Sequence, residues 1–353
     1  LKEALARTFK QGERKAVLVV GAGLHRRLIK ALQDPSLGCA DCSPLASWPR
    51  LMQELGRGFD TTMEHEDPTA AMEALVCHVS SCEETAASKA ENKVLQQAAA
   101  LLRKEVVSKY GNRGPSNLGQ ELTRTPFRDI ISLNVDNSLD LCLMGAGWKP
   151  STVEKTNNMP TWEALPFVYT SPCGKRHTRT WYPHGHVDRP AKIVLGQRRY
   201  GLQIAGAETG RKDFKAWERE FLDPKKPPSQ AAYRERVDQM RGASASGTGP
   251  HKALSLMSLL MSSDLVFIGT SLDRAETDLW WCLHQRQRNV ARQPHSRRPC
   301  TFYVTASCDC LSGVDAHLRT GPAGLTLVPF PTWDEAWRAL FDTSCSCQRG
   351  SNA

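Results

Sequence analysis

The sequence has no apolar run approaching the ~18–20 residues of a membrane-crossing helix, so neither a span nor a membrane partner is expected. Its opening, LKEALARTFKQGERKAVLVV, has no long apolar core beside a small-residue cleavage site. No secretory leader is read there, and the expected compartment is the cytoplasm. Internal repeats are not evident. A strong charge bias is also lacking: 46 Lys and Arg stand against 37 Asp and Glu, a formal +9. That balance favours polyanions weakly and falls short of a dedicated nucleic-acid binder. With 40% hydrophobic and 24% charged residues, general disorder, collagen-like and coiled-coil classes are excluded. The length of 353 residues allows one large domain or two modest ones at ~100–200 residues each. A single domain over 1–343 is expected, with 344–353 as a frayed tail.

Cysteine is plentiful, at twelve residues. A chain this long can bury a core without covalent staples. Disulfides need an oxidising compartment, so mostly reduced thiols are expected.

The Val-rich run Lys15 to Val20 predicts a buried strand that ends in the glycine turn Gly21-Ala22-Gly23, with a helix over 24–32 to follow. About 45–110 is mostly helical in composition and too long for one crossover, so it is read as an inserted helical cap or small subdomain. Residues 111–119 read as a polar loop. A second buried strand is predicted over 128–133, then a helix to about Met144. Short strands over 178–183 and 192–195 flank His184-Gly185-His186. About 201–249 reads as a charged, mobile segment with a Lys-Pro-rich break at 223–228 and a linker-like tail at 242–249. A helix over 251–261, strands over 264–268, 301–305 and 325–329, and a closing helix over 333–341 complete the pattern. Short apolar strands alternating with helices predict an α/β fold: a Rossmann-like parallel sheet with helices on both faces and the helical insertion.

Chemistry-bearing residues fall just past the strands. Gly21 to Gly23 would let backbone N–H groups and a helix N-terminus approach a pyrophosphate; a tight turn without a ligand is equally consistent. Arg26 and Arg27 suit an anion there. The third glycine of G-x-G-x-x-G is absent, because Arg26 takes its place. Asn134 and Asp136 end the second strand, either as ligand contacts at the edge where open parallel sheets bind or as an Asx turn or helix cap. His184 is a candidate general base, with a structural role or, together with His186, metal chelation as alternatives. Gly269, Thr270, Ser271 and Asp273 follow the strand 264–268.

In this order, Gly21-Ala22-Gly23, Asn134-Val-Asp136, His184-Gly185 and Gly269-Thr-Ser-Leu272 resemble the sirtuin superfamily. Leu45-Ala-Ser-Trp48 resembles the family's small loop before its cap helices, and 190–195 with Tyr200 resembles the segment after the catalytic histidine in bacterial sirtuin-like proteins. The resemblance covers about 15–279. Sirtuin deacylases carry a zinc module of two cysteine pairs after that histidine, whereas no cysteine occurs here between His184 and Cys282. The pairs Cys39/Cys42, Cys308/Cys310 and Cys345/Cys347 lie elsewhere. What remains resembles the zinc-free sirtuin-like domains of bacterial anti-phage defence, which hydrolyse NAD+. Where the family often has a serine after the glycine turn, this chain has His25.

The resemblance implies NAD+ as substrate and no metal. Asn134 would orient the nicotinamide ribose or the attacking water. His184 would be the general base, and Asp136 would position the ribose. Gly21, Ala22 and Gly23 would take the pyrophosphate; Gly269, Thr270 and Ser271 would face the adenosine half. Trp48 would wall the pocket or pack in the core. It also implies control by homo-oligomer assembly or by a partner sensor or ATPase subunit, with nucleic acid reached through a partner. The alternatives are a protein deacylase or ADP-ribosyltransferase, and a non-catalytic nucleotide-binding module of a nucleic-acid-associated complex. The arginines 286, 288, 292, 297 and 298 read as a solvated basic stretch, with a nucleic-acid or nucleotide contact as the alternative. Trp280-Trp281 reads as core or subunit interface, and Trp333 with Trp337 as core packing.

Overall fold

A computed structural model describes residues 16–24, 48–63, 67–111, 120–122, 127–150, 167–174, 176–221, 256–270, 272, 276–293, 298–306 and 324–342, the side chains of 217–221 and 341–342 excepted. The strand β1 (Ala16–Val20) is buried along its whole length. Its side chains alternate, with Leu18 and Val20 in one apolar cluster and Val17 and Val19 in the other. That pattern is what a strand covered by helices on both faces requires.

β1 lies between β2 (Asp129–Ser132) and β6 (Asp264–Ile268), parallel to both. Beyond β2 comes β5 (His177–Trp181), also parallel. Beyond β6 come β7 (Thr301–Ala306) and β8 (Leu325–Phe330), again parallel. An antiparallel hairpin of β3 (Lys149–Pro150) and β4 (Phe167–Thr170) extends the β5 edge. The eight-stranded order is β3-β4-β5-β2-β1-β6-β7-β8. The parallel strands step one way from β1 through β2 to β5 and the other way from β6 to β8. This is a doubly wound, Rossmann-like sheet whose topological switch point lies between β1 and β6.

Helices cover both faces. On one, α1 (Trp48–Gly58), α2 (Pro68–Cys82) and α3 (Ala87–Tyr110) share an apolar cluster with Leu18, Val20, Val266 and Ile268, through Leu51, Leu55, Met72, Leu75 and Leu95. The inserted helices thus belong to the same core as the sheet. α4 (Ser138–Gly145) and α8 (Trp333–Asp342) join this layer through Leu139 and Trp337. The other face carries α5 (Gln197–Phe221), α6 (Leu256–Ser262) and α7 (Thr277–Ala291), with Phe214, Met257, Leu279 and Leu283 in its cluster.

Three expectations are corrected. Residues 192–195 form no strand: a 3₁₀ turn spans Pro190–Lys192, and Ile193 to Leu195 are apolar because they fill the core. The first part of the 201–249 segment, through 221, is helix α5 and not a mobile stretch. It turns Tyr200, Gln203, Ala207 and Phe214 inward on a narrow stripe while charges cover its other sides. Arg286 is 2% exposed and is not part of a solvated basic surface. The expected helix 24–32 from His25 onward, residues 112–119, the tails 242–249 and 344–353, Arg297 and the three close cysteine pairs lie outside the described residues.

Candidate active site at the switch point

The loops after β1 and β6 touch. The backbone N–H of Gly23 donates to the Gly269 carbonyl at 2.7 Å. A Cβ on Gly23 would lie 2.5 Å from Gly269 Cα, and one on Gly21 would lie 2.8 Å from Thr270 Cβ. Gly269 itself has φ +65°, a region that L side chains enter at a cost. Close loop packing therefore accounts for all three glycines. The N–H groups of Gly23 and Leu24 have protein acceptors, the latter the Gly21 carbonyl at 2.9 Å. Ala22 and Gly23 remain half-buried.

Asn134, two residues past β2, donates from Nδ2 to the same Gly21 carbonyl at 3.2 Å. The structure thus ties the second strand end to the glycine turn. Asp136 is buried and accepts from the Ser138 N–H at 2.8 Å. It closes an Asx turn at the start of α4, which is the capping alternative for this residue. Its charge lies near Tyr110, whose phenol is pushed far up, chiefly by burial.

His184 follows β5 on a loop bent at Gly185, φ +85°. A Cβ on Gly185 would meet the Lys192 carbonyl oxygen at 2.3 Å. Nδ1 of His184 lies 3.1 Å from the Leu133 carbonyl, beside Asn134. Nε2 lies 3.3 Å from Asp278 in the first turn of α7. The ring is 1% exposed. Burial pulls its pKa down, but the charge and hydrogen bond of Asp278, with help from Glu276, prevail and raise it to about 9.

His186 points the other way. Its Nδ1 accepts from the Asp188 N–H at 3.2 Å, so Nε2 donates to Asp140 at 3.0 Å. This buried cluster, with Thr180 also on Asp140, anchors the histidine loop. Helix α3 holds the same loop through Arg103, which donates to the Val187 carbonyl. Two histidines directed to different partners do not chelate one ion together. Among the described residues there is no group of three or more metal-ligating side chains. Cys77, Cys82, Cys142, Cys173, Cys282 and Cys300 are not in disulfides.

Thr270 is buried; its Oγ1 accepts from the Leu272 N–H at 3.2 Å and its carbonyl from the Tyr303 hydroxyl at 2.7 Å. Ser271 and Asp273 lie outside the described residues. Trp48 packs against the core cluster beneath α1. The structure therefore brings Gly21 to Gly23, Asn134, His184, Gly269 and Thr270 to one sheet edge. Sequence reasoning missed Asp278, whose side chain reads as an ordinary acidic residue at a helix start. The demand of a buried histidine for a carboxylate was the signal that could have found it.

No protein-family model matches the chain, and no curated protein matches it.

Proposed function

We propose that this chain binds NAD+ at the switch point and hydrolyses its nicotinamide N-glycosidic bond, giving nicotinamide and ADP-ribose. The single observation behind this reading is the convergence of Gly21 to Gly23, Asn134 and His184 at the C-terminal strand ends beside the β1/β6 crevice, the place where open α/β sheets take nucleotides. The leaving group is good, since cationic nicotinamide departs neutral with the bonding pair. The protein has to hold the ribose, stabilise an oxocarbenium-like centre and direct water at C1′. Asn134 orients ribose or water. His184, once neutral, takes the proton that the attacking water loses. An NAD+-depleting activity demands control, consistent with a cytoplasmic defence effector switched by self-assembly or by a partner sensor or ATPase.

A second reading, nucleotide binding without turnover, is favoured by the occupied nitrogens of His184.

Purified chain incubated with NAD+, followed by nicotinamide release, separates the two. Asn134→Ala and His184→Ala are expected to cut release by ~100- to 10,000-fold while the proteins stay folded. Stoichiometric NAD+ binding without release, in the assembled form as well, would establish the second reading. Near-normal turnover by either folded variant would remove that residue from the catalytic assignment.

A further inference from the structure

Both nitrogens of His184 are engaged, and the two partners differ in kind. Nδ1 meets only a carbonyl oxygen, that of Leu133 at 3.1 Å, so it carries a proton and donates. That bond alone fixes the ring plane and the tautomer, the service a carboxylate renders in a Ser–His–Asp triad. Nε2 is the nitrogen left for proton transfer, and Asp278 occupies it at 3.3 Å. The other groups facing the ring are Glu276, which adds a second negative charge ahead of α7, and Tyr200 of α5, whose ring meets the imidazole edge-on at 5.6 Å. From the β2 side the Leu133 carbonyl approaches. An imidazolium donating on both sides has no site to accept a proton.

We propose that Asp278 holds the place at His184 Nε2 that a ribose hydroxyl of the substrate takes during the reaction, so that the resting chain is closed. The proposal rests on the NAD+-cleaving reading of this site. The contact is loose, since 3.3 Å exceeds the ~2.7–2.9 Å of a tight charge-assisted bond. With Asp278 displaced and the ring neutral, a ribose hydroxyl takes the carboxylate's place and donates its proton to Nε2. The pair also spans the switch point, because His184 belongs to the β1-β2-β5 half and Asp278 to the helix after β6.

The test has a readout that needs no NAD+ turnover. Carbethoxylation at pH 7, mapped by mass spectrometry, and the NMR titration of the His184 ring (identified with His184→Gln) are measured in the wild type and in Asp278→Asn. Wild-type His184 is expected to resist carbethoxylation and to titrate near 9. In Asp278→Asn it should react and titrate below about 7. Nicotinamide release at pH 7 should rise by roughly tenfold or more in that variant, because a histidine titrating two units above the working pH is neutral in about one molecule in a hundred. Wild-type His184 reacting as fast as the exposed His177, or titrating near 6.5, overturns the closed state without recourse to any variant. Slower release by folded Asp278→Asn than by an active wild type also overturns it, making Asp278 a positioning residue. If neither form releases nicotinamide under any condition, the NAD+ reading fails, while carbethoxylation and titration still decide whether His184 is closed.

Discussion

Gly23 and Gly269 meet backbone to backbone across the switch point, N–H to carbonyl at 2.7 Å. Strand ends in a doubly wound sheet diverge at this point and commonly leave a crevice. Here the two loops close its floor, and neither residue has room for a side chain. The same contact sets the height of Gly21 and, through its carbonyl, of Asn134.

Gly23→Ala is accordingly expected to destabilise the fold. Its Cβ would sit 2.5 Å from Gly269 Cα and 2.8 Å from the Gly269 carbonyl oxygen, and both neighbours are backbone. Forced overpacking of this kind costs about 1–3 kcal/mol. Denaturant unfolding of the purified variant measures it. An unchanged midpoint would mean that the two loops separate freely, and the crevice floor described above would not exist.

The sheet was legible because β1, β2, β6 and β7 are short apolar runs buried on both faces, a pattern that needs no partner to be recognised. The hairpin β3/β4 escaped because it is short and half-exposed at an edge. Helix α5 escaped because its inward stripe of Tyr200, Gln203, Ala207 and Phe214 is narrow and diluted by charge. Of the site, each strand end was legible separately. Asp278 was not, since 94 residues separate it from His184 and only the fold joins them. Arg286 carries the charge of a surface residue, yet the helical period aligns it with buried Leu279, Cys282, Leu283 and Val290.

The His184–Asp278 pair makes stability depend on pH. The folded pKa of His184 is about 9 against an ordinary 6.5. A raised pKa means that the folded protein holds the proton more tightly than the unfolded chain. The stabilisation is therefore full below about 6.5 and is lost as pH rises to about 9. It amounts to on the order of 3 kcal/mol. Denaturant unfolding at pH 6 and pH 9.5 should show this loss in the wild type and a much smaller one in His184→Gln; the difference between the two proteins isolates His184 from other groups titrating in the window. Parallel pH profiles for both would show that the pair contributes nothing.

Arg286 supplies a control at the opposite end of the sheet. Its guanidinium donates to Thr301 Oγ1 at 2.8 Å, to the Cys300 carbonyl at 2.9 Å and to the Leu260 carbonyl, joining the end of α6 to the start of β7. Burial lowers its pKa to about 10, partly offset by the nearby charge of Asp264. Removing the guanidinium takes this donor from three acceptors and its charge from the neighbourhood of Asp264, at a cost of about 1–3 kcal/mol. Arg286→Met should lower the unfolding midpoint accordingly. Arg286→Lys should recover little, because an ammonium cannot reproduce the planar fork that serves three acceptors at once. Any activity toward NAD+, assayed well below the variant's melting temperature, should remain, since these strand starts face away from the edge that carries Asn134 and His184. An unmoved unfolding midpoint together with reduced activity would reverse the assignment and bring Arg286 into function.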